Sequence, residues 1–289
     1  AAAAEMCNNN GHCRKFDAGT MCPSFRATGD ERHLTRGRAN TLRLALSGQL
    51  KSGTDPVLGA GKTGSVPDFA LDALYEAMDL CVSCKGCKRE CPTGVDMARM
   101  KIEFLHQYHQ RHGYSMKDRL VANLPRYAPV ASRLAPLFNL RDRIPSLAAL
   151  SESLLGLSAK RSLPQWRRDT FLSSTPPLSR GGAAQPRGGG EAVLFVDCFN
   201  NYHEPENARA ALRVLETAGY TVHIARAKDE DGSRPLCCGR MFLASGMVEE
   251  AKTEALRMLR ALEPFVARVL PVVGLEPSCL YTLRDEFPA

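Results

Sequence analysis

The chain has 289 residues, a length that favours two domains over one. Apolar residues make up 44% and charged residues 24%, which excludes a disordered tail, a collagen and a coiled coil. The net charge of +7 is too weak by itself to argue for nucleic acid, and none is expected as a partner. No apolar run approaches the ~18 residues of a transmembrane helix, and no secretory signal precedes the first cysteine. The 11 cysteines are too sparse for a disulfide scaffold, so metal or redox chemistry in the cytoplasm is the better expectation. The chain opens on Ala1-Ala2-Ala3-Ala4-Glu5 and closes soon after a cysteine motif, which predicts a fragment of a longer polypeptide.

Residues 1–28 hold Cys7, Cys13 and Cys22 among Asn, Gly and Thr and read as loop. A helix is predicted from about Glu31 to Ser47, with Gly48 as its stop. Residues 51–65 read as an exposed insertion. Its Gly59-Ala60-Gly61-Lys62-Thr63 brushes against a phosphate loop, but Pro56 stands where the first glycine belongs and no strand precedes it, so that reading is rejected. Ser65-Val66-Pro67-Asp68 starts a helix whose buried face is Ala70, Ala73, Leu74, Ala77, Met78 and Cys81. A further helix runs from about Asp96 to His112 and ends at Gly113. Its His106, His109 and His112 fit a helix end favouring cations better than a metal or haem site.

Residues 114–172 are punctuated by Pro125, Pro129, Pro136, Pro145 and Pro164 and predict short helices packing on the cysteine domain. Lys160, Arg161, Arg167 and Arg168 around Trp166 read as a solvated run rather than a contact for lipid or a partner. Residues 173–190 predict a flexible linker. Beyond it, 192–196, 220–225 and 269–273 predict strands, and 205–218 and 248–262 helices. The expected fold is α+β. An all-α, two-cluster ferredoxin-like domain (1–113) and a helical connecting segment (114–172) precede the linker (173–190) and a truncated α/β domain (191–289) with a small parallel sheet.

The strongest chemical signal is Cys81-Val82-Ser83-Cys84-Lys85-Gly86-Cys87-Lys88-Arg89-Glu90-Cys91-Pro92. This C-x2-C-x2-C-x3-C-P run lets three thiolates wrap one iron–sulfur cluster while the fourth, before the proline, serves the other cluster of a pair. A zinc knuckle is the bland alternative. Cys22-Pro23 matches the outward position, so Cys22 is expected to complete the cluster of Cys81, Cys84 and Cys87. Cys7, Cys13 and Cys91 remain for a second, incomplete site: a three-iron cluster, a cubane with a non-cysteine ligand such as His12, or a vacant loop. Arg36 and Arg38 either offset cluster charge or meet a partner, or form a solvated face.

A third group is dispersed: Cys198, Cys237-Cys238-Gly239 and Pro277-Ser278-Cys279, each following a predicted strand. The carboxyl ends of parallel strands share one edge, so these sulfurs are expected to converge, as a cluster or redox site or as buried structural cysteines.

Cys22-Pro23-Ser24-Phe25, Thr35-Arg36-Gly37-Arg38-Ala39-Asn40 and the Cys81–Pro92 run resemble the iron–sulfur part of FAD-linked D-2-hydroxyacid dehydrogenases, which oxidise D-lactate, glycolate or D-2-hydroxyglutarate. Asp197-Cys198-Phe199, Glu204-Pro205-Glu206-Asn207, Cys237-Cys238-Gly239 and Glu276-Pro277-Ser278-Cys279 resemble the cysteine-rich CCG domain shared with heterodisulfide reductase. The resemblance implies 4Fe–4S clusters, with FAD in a preceding domain or partner protein, and electron transfer to an acceptor such as a quinone, in the cytoplasm or peripherally at the inner face of the membrane. It usually brings two CCG units, of which this sequence has one, and a flavin domain, of which it has none. Two rivals stand beside the electron-transfer reading: a thiol–disulfide reductase using the CCG site, and a structural zinc-binding interaction protein.

Overall fold

The computed structural model of the chain describes residues 2–16, 19–50, 68–175, 190–227 and 234–288. The predicted insertion at 51–65, the start of the Ser65-Val66-Pro67-Asp68 helix signal and most of the predicted linker (176–189) lie outside the described residues. The chain divides into two compact units, Ala1–Gly113 and Tyr114–Ala289. Among the described residues no helix is long and apolar enough to cross a membrane.

The first unit is helical. Helices Thr35–Leu46, Asp68–Asp79 and Met97–His112 close on Leu34, Ala39, Leu74, Met78, Val95 and Met97, each at most 2% exposed. The face of Asp68–Asp79 is made by Leu71, Leu74, Ala77 and Met78. Ala73, predicted on that face, is exposed, because Leu71 occupies the inner stripe instead. Asp96 caps Met97–His112 by accepting from the Arg99 amide at 3.1 Å. At the other end buried His109 bonds the Gly113 carbonyl oxygen at 2.8 Å, so this histidine closes the helix terminus. Tyr75 stacks on Tyr108 at 4.7 Å between ring centroids and joins the last two helices. Cys7, Cys13, Cys22 and Cys87 are buried in the same core, with Cys81 and Cys91 at its margin.

The second unit holds a three-stranded parallel sheet of β1 (Glu191–Phe195), β2 (Thr221–Ile224) and β3 (Val272–Gly274) in the order β2-β1-β3. Central β1 is apolar at successive residues because both its faces are covered. Val193 and Phe195 pack with Met258, Ala261 and Leu262 of helix Val248–Val266. Leu194 and Val196 pack on the other side with Ala208, Ala211, Leu212 and Leu215 of helix Pro205–Thr217. Leu194 lies opposite both Ile224 of β2 and Val273 of β3, which fixes the register. The third strand is predicted from Val269, but that residue is 88% exposed at φ 58°. It turns the chain out of the long helix, so β3 starts only at Val272.

The helices between 114 and 172, expected on the N-terminal cysteine domain, belong to the second unit. Helix Leu124–Arg133 places Ala128 in one apolar cluster with Cys198, Tyr202 and Cys237. Prolines suit this arrangement: Pro125 and Pro145 sit in first turns, where an amide hydrogen has no helical partner. Ser173 and Ser174, predicted to open the linker, end a short helix, Phe171–Ser174, whose Phe171 is wholly buried beside β1.

Candidate metal centres

The loop from Cys81 to Cys87 is shaped before any ligand is considered. Ser83 and Lys85 both lie in the left-handed region, at φ 51° and 58°. Lys85 then caps helix Gly86–Glu90. A Cβ on Gly86 would lie 2.9 Å from Thr20 Oγ1 and 3.3 Å from the Met21 backbone, so the two cysteine segments of the unit meet where only glycine fits. Lys101 Nζ donates to the carbonyl oxygens of Asp79 and Cys81, at 3.1 and 2.7 Å, fixing the entry to the loop.

Cys22 belongs to this loop's site although it lies far away in sequence. Cys22, Cys81, Cys84 and Cys87 line one cavity together with Thr35, Arg38 and Met97. The Thr35 amide donates to Cys22 Sγ at 3.1 Å, and the Thr35 hydroxyl lies 3.0 Å from it. Burial pushes the Cys22 thiol up, against the opposing pull of Thr35 and Arg38. Burial likewise raises Cys87 to about 11. Buried sulfurs of this kind are costly to ionise unless a cation takes the charge. Arg38 is only 2% exposed and donates to the Ala77 carbonyl oxygen at 2.7 Å and to Ser24 Oγ at 2.9 Å. It is a fixed buried cation at the cavity wall, not part of a solvated face. Arg36 instead bonds Glu31 at 2.6 Å and lies near Cys13.

The remaining N-terminal cysteines are less tightly arranged. Cys13 is pushed up by burial and feels both Cys22 and Cys7, with Arg36 opposing. Burial also raises Cys91, but the Thr93 hydroxyl and the amides of residues 93–95 outweigh it and hold this thiol below the ordinary range. A Cβ on Gly94, in the turn after Cys91, would come within 3.9 Å of Met6, the neighbour of Cys7. Glu90 carries no signal in the sequence; its carboxylate accepts from Thr20 and Met21 and so ties the second cysteine run to the first. Those bonds, the Thr20 hydroxyl's first, hold it below the usual carboxylate range.

In the second unit Cys198, Cys237, Cys238 and Cys279 line one cavity at the carboxyl edge of the sheet, together with Asp197, Arg240 and Glu276. All four are at most 9% exposed. Cys238 Sγ lies 3.1 Å from Cys279 Sγ. Cys237 interacts with both Cys198 and Cys238, and the Gly239 amide donates to it at 3.3 Å. Hydrogen bonds from Cys237 and Cys279, then the Arg240 amide, push Cys238 down, while its neighbours Cys237 and Cys279 go up. Asp197 caps helix Cys198–Tyr202 through the Phe199 and Asn200 amides, at 2.9 and 3.1 Å, and Glu276 caps Pro277–Tyr281. Each cap sets the helix turn that presents a cysteine. A Cβ on Gly239, at φ 79°, would meet the Ala251 carbonyl oxygen at 2.9 Å, so this turn also requires glycine.

Among the described residues no group of three or more His, Cys, Asp or Glu side chains is disposed to hold a single metal ion. Sulfurs spread around a cavity, with backbone amides aimed at them, suit a cluster whose ligands bind separate corners.

Residues 3–95 match the 4Fe-4S dicluster domain and residues 192–284 the cysteine-rich domain. The D-2-hydroxyglutarate dehydrogenase of Escherichia coli is 27% identical over 98% of this chain and 30% of its own length. One component of the anaerobic glycerol-3-phosphate dehydrogenase of Escherichia coli is 25% identical over 60% of the chain and 42% of its own. A probable glycolate oxidase iron-sulfur subunit of Bacillus subtilis is 21% identical over 84% and 51%. The chain thus spans less than a third of the first of these relatives and about half of the last. No solved structure matches it.

Proposed function

We propose, from the premise that the chain belongs with the iron–sulfur parts of the FAD-linked D-2-hydroxyacid dehydrogenases, that it is their kind of electron-transfer module. It receives electrons from a flavin-linked 2-hydroxyacid dehydrogenase, with D-2-hydroxyglutarate, D-lactate or glycolate as substrate, and delivers them to an acceptor such as a quinone. The observation that carries this reading is the single cavity lined by Cys22, Cys81, Cys84 and Cys87. Four thiolates from two distant segments fit a 4Fe–4S cluster, which when bound supplies one-electron chemistry at a tuned potential. The protein's own part is to hold and insulate it. Thr35 bonds the Cys22 sulfur, Arg38 offsets thiolate charge, and Met97 and Ala98 keep water from the cavity wall. Cys7, Cys13 and Cys91 are assigned to a second cluster and Cys198, Cys237, Cys238 and Cys279 to a third site.

Anaerobic reconstitution followed by iron and acid-labile sulfide analysis and electron paramagnetic resonance tests the reading. Cys22→Ser should remove the signal of one cluster and leave the rest. Zinc bound in place of iron, or a Cys22→Ser protein with an unchanged cluster signal, overturns it. The close Cys238–Cys279 pair favours a second reading, disulfide reduction at the C-terminal site. Turnover of a disulfide with an artificial electron donor, lost in Cys238→Ser, would establish that instead.

A further inference from the structure

The two cysteine loops of the first unit are the same backbone written twice. Cys7 and Cys13 stand at the spacing of Cys81 and Cys87, and at the middle position, where the second loop has Cys84, the first has Asn10. The match is conformational as well. Asn9 and Gly11 flank Asn10 in the left-handed region at φ 62° and 75°, as Ser83 and Lys85 flank Cys84 at φ 51° and 58°. Gly11 caps a helical turn beginning at His12 with ψ 9°, and Lys85 caps one beginning at Gly86 with ψ 10°. Asn10 and Cys84 are both exposed, whereas Cys13 and Cys87 are both buried. Four correspondences at one constant offset make Asn10 the structural counterpart of a cluster ligand. They set His12 opposite Gly86, where no ligand belongs.

Asn10 does not replace the thiolate. A carboxamide is neutral and carries no charge to give to iron. Its oxygen already accepts from the His12 amide at 2.8 Å, which closes the loop without a ligand bond. We propose that the second cluster is held by the thiolates of Cys7, Cys13 and Cys91 alone, and that its fourth corner is open to solvent at Asn10. This rests on the cluster reading above. An iron at such a corner is exchangeable. When a cubane core of charge 2+ loses one Fe2+ and gives one electron to ferricyanide, a three-iron core of charge 1+ remains. One thiolate fewer also makes the site less negative than its neighbour, which raises its potential relative to a four-thiolate cluster.

The test uses the full chain, reconstituted without oxygen and treated with one equivalent of ferricyanide in the presence of an iron chelator. About one iron per chain is expected to be released, with the paramagnetic signal of an oxidised three-iron cluster. Asn10→Cys, on an exposed position whose counterpart is already cysteine, should abolish both. Asn10→Ala should behave as the unaltered chain. Cys84→Asn should open a second corner and about double the iron released. Full iron retention by the unaltered chain, or release unchanged in Asn10→Cys, overturns the open corner. A chain holding only the Cys22–Cys81–Cys84–Cys87 cluster overturns it too, while leaving the electron-transfer reading in place. A chain with no labile sulfide at all refutes both.

Discussion

Glu90 clasps Thr20 across seventy residues of sequence. One carboxylate oxygen accepts from the Thr20 amide at 2.8 Å and from its hydroxyl at 2.7 Å, and the other from the Met21 amide at 3.0 Å. Glu90 stands one residue before Cys91 and Met21 one residue before Cys22. The clasp therefore ties the segment that leads into Cys22 to the one that leads into Cys91. Glu90→Ala should free the segment at 19–22 without touching a sulfur. In iron-free protein, alkylation of Cys22 should become faster while that of Cys238 stays unchanged, read by peptide mass spectrometry. Equal rates at Cys22 in both proteins would show that the clasp does not position it.

Gly37 gives a sharper steric prediction. A Cβ there would lie 1.9 Å from the Glu31 carbonyl oxygen and 3.1 Å from Arg32 Cα. In an open helix Ala would gain about 1 kcal/mol over Gly. Here the obstruction is backbone, which cannot swing aside, so the clash wins. Gly37→Ala should lose about 1–3 kcal/mol in denaturant unfolding of the first unit.

Glu254 is 1% exposed and bonds Arg234 at 2.6 Å, with Arg257 at 3.8 Å. Arg257 in turn donates to the carbonyl oxygens of Arg234 and Pro235, just ahead of Cys237. Removing the carboxylate takes the close ion-pair partner from half-buried Arg234, so Glu254→Ala should cost about 3–5 kcal/mol in guanidinium unfolding. It should also lower iron retention at the C-terminal site more than at the first.

Glu191 supplies a pH dependence. His223 and Arg268 bond its carboxylate at the start of the sheet, and these bonds, His223 first, hold it below the usual carboxylate range. Because the folded value is depressed, its contribution is fully present above the ordinary carboxylate value and is lost as pH falls through the depressed one. The stability difference between the unaltered chain and Glu191→Gln should therefore be largest near neutrality and vanish in acid. Thermal unfolding across that range measures it, and a difference that grows in acid would contradict the pairing.

These features differ in how far sequence exposes them. The Cys81–Pro92 run was legible because cluster ligation demands fixed spacing, and β1 because a strand buried on both faces must be apolar throughout. Ala128 beside Cys198 was not, since the prolines of 114–172 mark where helices start and stop but not what they pack against. Glu90 and Glu254 carry no pattern at all. A carboxylate that acts through long-range bonds looks in sequence like any charged surface residue. Asn10 was hidden differently: a motif sought as cysteines gives no mark where the cysteine is missing.

The left-handed residues of the cysteine loops have a consequence for timing. Cys22, Ser83 and Lys85 each hold a conformation that costs such residues about 1–2 kcal/mol. Contacts with iron would hold that backbone in place, so the loops are where an iron-depleted chain should first relax. Amide hydrogen exchange at Ser83 and Lys85 would then rise on iron removal before the helices at 35–46 and 97–112 lose protection. Exchange at two residues would report the age and iron history of a preparation, independently of its colour.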